Sequence, residues 1–266
     1  MKTKEEPKRR KPMSAKKRAD VKKPSAMKRA APQEFETVAA IPAPVVPSPA
    51  ILPSTEKSLA VSYMTLRQMV GVLGASLPFI VSLGAWIIFG QPQQPSISAY
   101  YYTGMRDVMV GMLTATGLFL FSYKGYGRAD EIAGKLTCLF ALGVAYFPTA
   151  PANPTPLQEI ISSLHLFFAC GFFLSLSYFC LFLFVKTNPS GFPPMTLRKT
   201  VRNRVYRVCG GVMLVCMALM AAYALAGGAS TPLENWNPTY WLEAIAIVAF
   251  GVSWLTKGEA ILRDEE

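Results

Sequence analysis

Histidine is almost missing from this chain: His165 is the one example in 266 residues. Paired-histidine haem and zinc sites are thereby excluded, and no HExxH, P-loop or GxSxG motif is present. Charge is scarce as well. Only 16% of residues are charged, where soluble proteins carry about 25%. The five cysteines (Cys138, Cys170, Cys180, Cys209, Cys216) all fall inside apolar segments and none forms a CxxC pair. They read as small core residues rather than disulfides or metal ligands. No metal and no cofactor is expected. Asn153, Asn188 and Asn237 each begin an Asn-Pro-Ser/Thr triplet, whose central proline excludes glycosylation. No apolar stretch appears before Leu66, so a cleaved secretory signal is not expected and the first apolar run is read as retained.

Apolar residues make up 52% of the chain, and they come in six runs. These are Gln68–Phe89, Met105–Tyr123, Ile132–Phe147, Ile160–Val185, Val205–Ala226 and Tyr240–Leu255. A span of the hydrocarbon takes about 20 residues, and irregular backbone in lipid would be left unsatisfied. The expected fold is therefore all-α: a six-transmembrane-helix bundle over residues 66–257, with a short C-terminal tail at 258–266. Residues 1–65 hold nine prolines, and residues 1–29 carry thirteen Lys or Arg against three acids. That composition predicts a disordered basic tail.

Basic residues set the expected orientation. Lys57, Arg67, Lys124, Arg128, Lys186, Arg198, Lys199, Arg202, Arg204, Lys257 and Arg263 flank one set of helix ends, and Arg106 alone flanks the other. The positive-inside rule places the first set, and with it both termini, in the cytoplasm. Tail clusters such as Lys8–Lys11 and Lys16–Arg18 then lie beside the inner leaflet, where anionic lipid headgroups are the expected partner and nucleic acid is not.

An ionisable group within a span is costly, which makes it a functional candidate. Asp107 opens the second run, His165 lies five residues into the fourth and Glu243 three into the sixth. The topology puts all three in one layer near the outer face. Asp107, Gly111, Thr114 and Gly117 form one stripe at helical spacing, and Ser162, His165 and Ala169 another; both are read as facing inward because small residues line helix contacts in membranes. Arg106, with Ser98 and Tyr101 of the preceding loop, is read as completing a polar pocket. Lys135 is expected to snorkel, and Met213, Met217 and Met220 to pack.

Three stretches carry a resemblance: Ser96–Val108 (SISAYYYTGMRDV), Phe121–Tyr126 (FSYKGY) and Phe250–Glu259 (FGVSWLTKGE). Together they resemble bacterial six-helix membrane proteins of unknown function. The resemblance covers roughly residues 66–260 and implies an inner-membrane location and a six-helix bundle. A weaker similarity is to the ceramidase and adiponectin-receptor superfamily, with Ser98, Asp107 and His165 in the places of its Ser, Asp and His. That family also needs two histidines on its last helix, and this chain has none there.

Three functions follow as expectations. The first is binding or sensing of a lipid or small amphipathic ligand in an outward-facing pocket of Asp107, Arg106, His165 and Glu243, covered by Ser98 and Tyr101. The second is an intramembrane lipid hydrolase or transferase, with His165 as base and Asp107 orienting it. The third is a scaffold or assembly subunit with a protein partner or a second copy of itself.

Overall fold

The computed structural model describes residues 52–125, 127–186 and 197–262, with side chains from Tyr63 onward except Ala229. The basic clusters of the tail, Tyr126, Asn188 and residues 263–266 lie outside the described residues. Six α-helices follow one another: α1 (Leu52–Phe89), α2 (Arg106–Phe121), α3 (Arg128–Tyr146), α4 (Pro156–Tyr178), α5 (Leu197–Leu225) and α6 (Pro238–Lys257). Every apolar run is a helix, and no strand occurs among the described residues. α1 starts at Leu52, within the stretch read from composition as tail. Pro53 falls in its first turn, where the missing N–H costs nothing.

Local chemistry explains the other starts. Thr155 caps α4 in a capping box: Gln158 N–H donates to its hydroxyl, and its own N–H donates to the Gln158 side chain at 2.8 Å. Pro156 and Pro238 occupy first-turn positions, so two Asn-Pro-Thr triplets lead into helices. α4 loosens at its far end into a π turn over Phe179–Leu183, where Phe184 N–H reaches back to Phe179.

Each helix packs on its neighbours in sequence, and α6 closes back on α1, giving a ring of six alternating in direction. Glycine permits the closing contact. A Cβ on Gly71 would lie 2.7 Å from the Leu255 backbone nitrogen, and one on Gly251 would strike the Ala75 backbone. Among the described residues, four helices are long and apolar enough to cross a membrane: Tyr63–Phe89, Pro156–Leu183, Leu197–Leu225 and Glu234–Lys257. α2 is shorter, at 16 residues, and α3 carries Arg128, Asp130, Glu131 and Lys135 in its first two turns. Large apolar side chains face outward, among them Phe79 (58% exposed), Phe167 (62%) and Trp86 (67%). A surface of that kind suits lipid rather than water.

The ring has two unlike ends. The 90–105 connection covers one, the capped end, together with Phe147, His165 of α4 and the first two turns of α6. The other, the basic end, gathers Arg67, Lys186, Arg202 and Lys257. Between them, most of the cysteines are buried and free, but Cys170 is exposed on α4, contrary to its reading as core. Met213 is fully buried. Lys135 donates to Glu131 at 2.6 Å, one turn back on α3.

A candidate ligand cavity under the capped end

The α1–α2 connection dips into the mouth of the ring as a short 3-10 helix, Ser98–Tyr102. Ile97 and Tyr100 act as its plugs, 3% and 0% exposed. Two helices hold it there. Glu243 of α6 accepts the Ile97 N–H at 2.6 Å and the Ser98 N–H at 3.4 Å through Oε2. From α4, His165 places Nε2 3.1 Å from the Ser98 hydroxyl. Pro95 further accepts the Tyr240 N–H at 3.0 Å, and the Tyr102 hydroxyl donates to the Thr149 carbonyl at 2.6 Å.

The state of the imidazole follows from its neighbours. His165 Nδ1 lies 2.6 Å from the Phe147 carbonyl oxygen, which can only accept. Nδ1 therefore carries a proton. In the neutral ring Nε2 is then an acceptor, and the Ser98 hydroxyl donates to it. His165 is buried, 6% exposed. Its burial costs little because both ring nitrogens have partners.

Beneath the cap lies a cavity of about 50 Å³ whose walls include Leu77 from α1, Met109 from α2, Phe172 from α4, and Ile247 and Phe250 from α6. Ser98 and Glu243 are polar members of its lining at the capped end. Thr116 also lines it, but its hydroxyl is committed to the Met112 carbonyl at 2.8 Å. Glu243 Oε1 has no hydrogen-bond partner among the described residues. The site is thus an apolar chamber with one carboxyl and one hydroxyl at the top.

Of the residues picked from sequence, Ser98, His165 and Glu243 come together, joined through Ser98. Asp107 does not join them. It is exposed in the first turn of α2, and the reason is geometric. The buried positions of that helix region are Met105, Met109, Leu113, Thr116, Gly117 and Leu120. Asp107 sits two residues from both Met105 and Met109, and at about 100° per residue that is the opposite face. Gly111, read as part of an inward stripe, is exposed too, with nothing near a Cβ placed on it. Gly117 alone of that stripe is buried. Arg106 is exposed and stacks on Tyr101, its guanidinium carbon 4.2 Å from the ring centroid, while donating to the Tyr101 hydroxyl. Both lie on top of the cap, outside the cavity lining.

Other polar features escaped the sequence reading. Asp130, in the first turn of α3, is fully buried and pairs with Lys186 at 3.0 Å. Fifty-six residues separate the two, so no local spacing signals the pair. The carbonyl that orients His165 is equally invisible, since backbone oxygens leave no residue signature.

Compared with family models, curated proteins and solved structures, the chain matches none.

Proposed function

We propose that this is a six-span protein of the bacterial inner membrane, both termini in the cytoplasm, that binds a small amphipathic ligand beneath its outer cap. The closed ring supports the six-span reading. α2 and α3 sit between α1 and α4, and both of those helices are long enough to cross. The basic end carries the positive flanks, which supports the orientation. Kinship with bacterial six-helix membrane proteins stays a proposal on the quoted motifs.

One observation carries the ligand reading: the apolar cavity with Ser98 and Glu243 at its top. Small-molecule sites combine largely apolar walls with a few placed polar groups. Glu243 with an uncommitted oxygen calls for a head that donates a hydrogen bond, such as a hydroxyl or amine. At about 50 Å³ the cavity suits a small ligand, or the end of a chain that displaces side chains on entering. Native mass spectrometry of the full chain from mild detergent tests this. Wild type should retain a bound small molecule or lipid that Glu243→Gln or Ser98→Ala loses. Equal retention in all three proteins sinks the reading.

The Ser98–His165 contact favours a second reading, hydrolysis or transfer on a lipid ester. His165 Nε2 would take the Ser98 proton as Oγ attacks the acyl carbon, then pass it to the departing alkoxide; water releases the acid. Phe147, not Asp107, orients the base. The rate should fall as pH drops through the histidine range and vanish in Ser98→Ala. A flat pH–rate profile counts against it.

A further inference from the structure

Two seams of the ring behave differently along their length. Between α1 and α6 the seam is closed as far as the capped end, where the Ser82 and Tyr240 hydroxyls lie 2.7 Å apart and Val81, Ala85 and Tyr240 are buried. Between α4 and α5 it is closed at the basic end. There a Cβ on Gly210 would lie 2.7 Å from Leu181 Cγ and 3.1 Å from Cys180 Cβ. The Phe184 and Tyr206 rings pack edge-on beside them, centroids 5.2 Å apart.

Toward the cap the α4–α5 seam opens. Residues seven apart on a helix lie two turns apart on nearly the same face, about 20° off. Cys180, set against Gly210 of α5, is fully buried. Seven residues nearer the cap Phe173 is 8% exposed, and after seven more Leu166 is 64% exposed. The neighbouring row repeats this: Ser177 is buried and Cys170 exposed. On α5 the row from Gly210 through Met217 to Ala224 passes from buried to half-buried to exposed, and Cys216 is the last buried residue of that helix. The two helices therefore part toward the cap, leaving a cleft with apolar walls that faces the lipid.

Phe173 belongs both to this cleft and to the cavity under the cap, which it lines beside Ala169 and Phe172. At about 50 Å³ that cavity holds roughly three to five water-sized spheres, enough for the head of an amphiphile and too little for its chain. From above, the way in is stopped by the buried plugs Ile97 and Tyr100. From the side, α4 and α5 are both long and apolar enough to cross a membrane, so the cleft opens on hydrocarbon. We propose that the ligand is a lipid-borne amphiphile that enters sideways, its hydroxyl or amine head against Glu243 and its chain in the α4–α5 cleft, with Phe173 between the two. This rests on the cavity being the ligand site, and adds the class of ligand and its route.

The probe is a monoacylglycerol with a diazirine at the end of its chain, at low mole fraction in phosphatidylcholine vesicles carrying the full-length protein. After illumination, peptide mass spectrometry maps the adducts, and excess unlabelled monoacylglycerol separates saturable adducts from general labelling of lipid-facing surface. Saturable adducts are expected on residues 166–173 of α4 and 217–224 of α5. They should fall about tenfold in Glu243→Gln, which weakens the hold on the head, and about as much in Cys170→Trp, which crowds the cleft. Leu139→Trp, exposed on α3, should leave them at the wild-type level. If Cys170→Trp elutes as aggregate, Leu166→Trp decides. Saturable adducts confined to the cap or to other helices, yet lost in Glu243→Gln, would overturn the side entry and leave the cavity standing as the ligand site. Cleft adducts indifferent to Glu243→Gln or to the folded tryptophan variant, or no saturable adduct at all, would also overturn the proposal; ligand retention in native mass spectrometry then judges the cavity on its own.

Discussion

His165 illustrates how much of this protein turns on single hydrogen bonds. Its two ring nitrogens tie the Phe147 carbonyl to the Ser98 hydroxyl, and so join the α3–α4 connection to the cap. His165→Ala strands both groups, and should cost roughly 1–3 kcal/mol of unfolding free energy. Asp107→Asn should stay within about 0.5 kcal/mol, because that side chain is exposed. Thermal unfolding of the two variants in one detergent separates them; equal shifts would remove His165 from its structural role. The Asp130–Lys186 pair yields a second ordering. Asp130 is fully buried, whereas the Lys186 side chain is 41% exposed. Lys186→Met leaves a buried charge without its closest partner, at about 3 kcal/mol. Asp130→Asn leaves an ammonium that can turn to water, and should cost less. At this scale the sequence revealed which groups were expensive to bury, and His165 and Glu243 answered to that. It also grouped Asp107 with them, whereas that side chain is exposed on the other face of α2, because depth along a helix says nothing of the face.

Among the elements, α1 and α6 depend on glycine where they cross. Gly251→Leu has no room against the Ala75 backbone, and overpacking of a tight contact typically costs 1–3 kcal/mol or more. Loss of the monodisperse peak on size exclusion should follow. Gly111→Ala is the converse case: nothing lies within 4 Å of the added methyl, and a helix-interior alanine gains up to about 1 kcal/mol over glycine. A melting temperature lowered by Gly111→Ala would contradict the outward placement of that face. Helix positions were legible from the apolar runs. The inward face of α2 was not. Small residues were taken to mark it, yet of those only Gly117 is buried, beside Met105, Met109, Leu113, Thr116 and Leu120. In lipid both faces are apolar, so periodicity loses its contrast.

The six described helices form a closed ring with a plug at one end and a basic, aromatic cluster at the other. Its orientation is open to direct measurement. A phosphatase reporter inserted in the 148–155 connection should be active, as it is expected outside, and one fused after Glu266 inactive. Two active fusions would contradict an even number of crossings with the termini inside. The order of the ring, with α6 against α1, brings Glu243 to Ser98 across 145 positions of sequence.

Composition and hydropathy by themselves determined that this chain is helical and how its helices are spaced, since burying backbone in an apolar medium leaves little else. They also pointed to His165 and Glu243 at the same end of their helices, where both meet Ser98. Only the tertiary structure decided which of those groups share a face, that a backbone carbonyl orients His165, and that Asp130 meets Lys186. Those outcomes depend on helix rotation and ring closure, which are set by contacts between residues far apart in sequence and carry no local pattern.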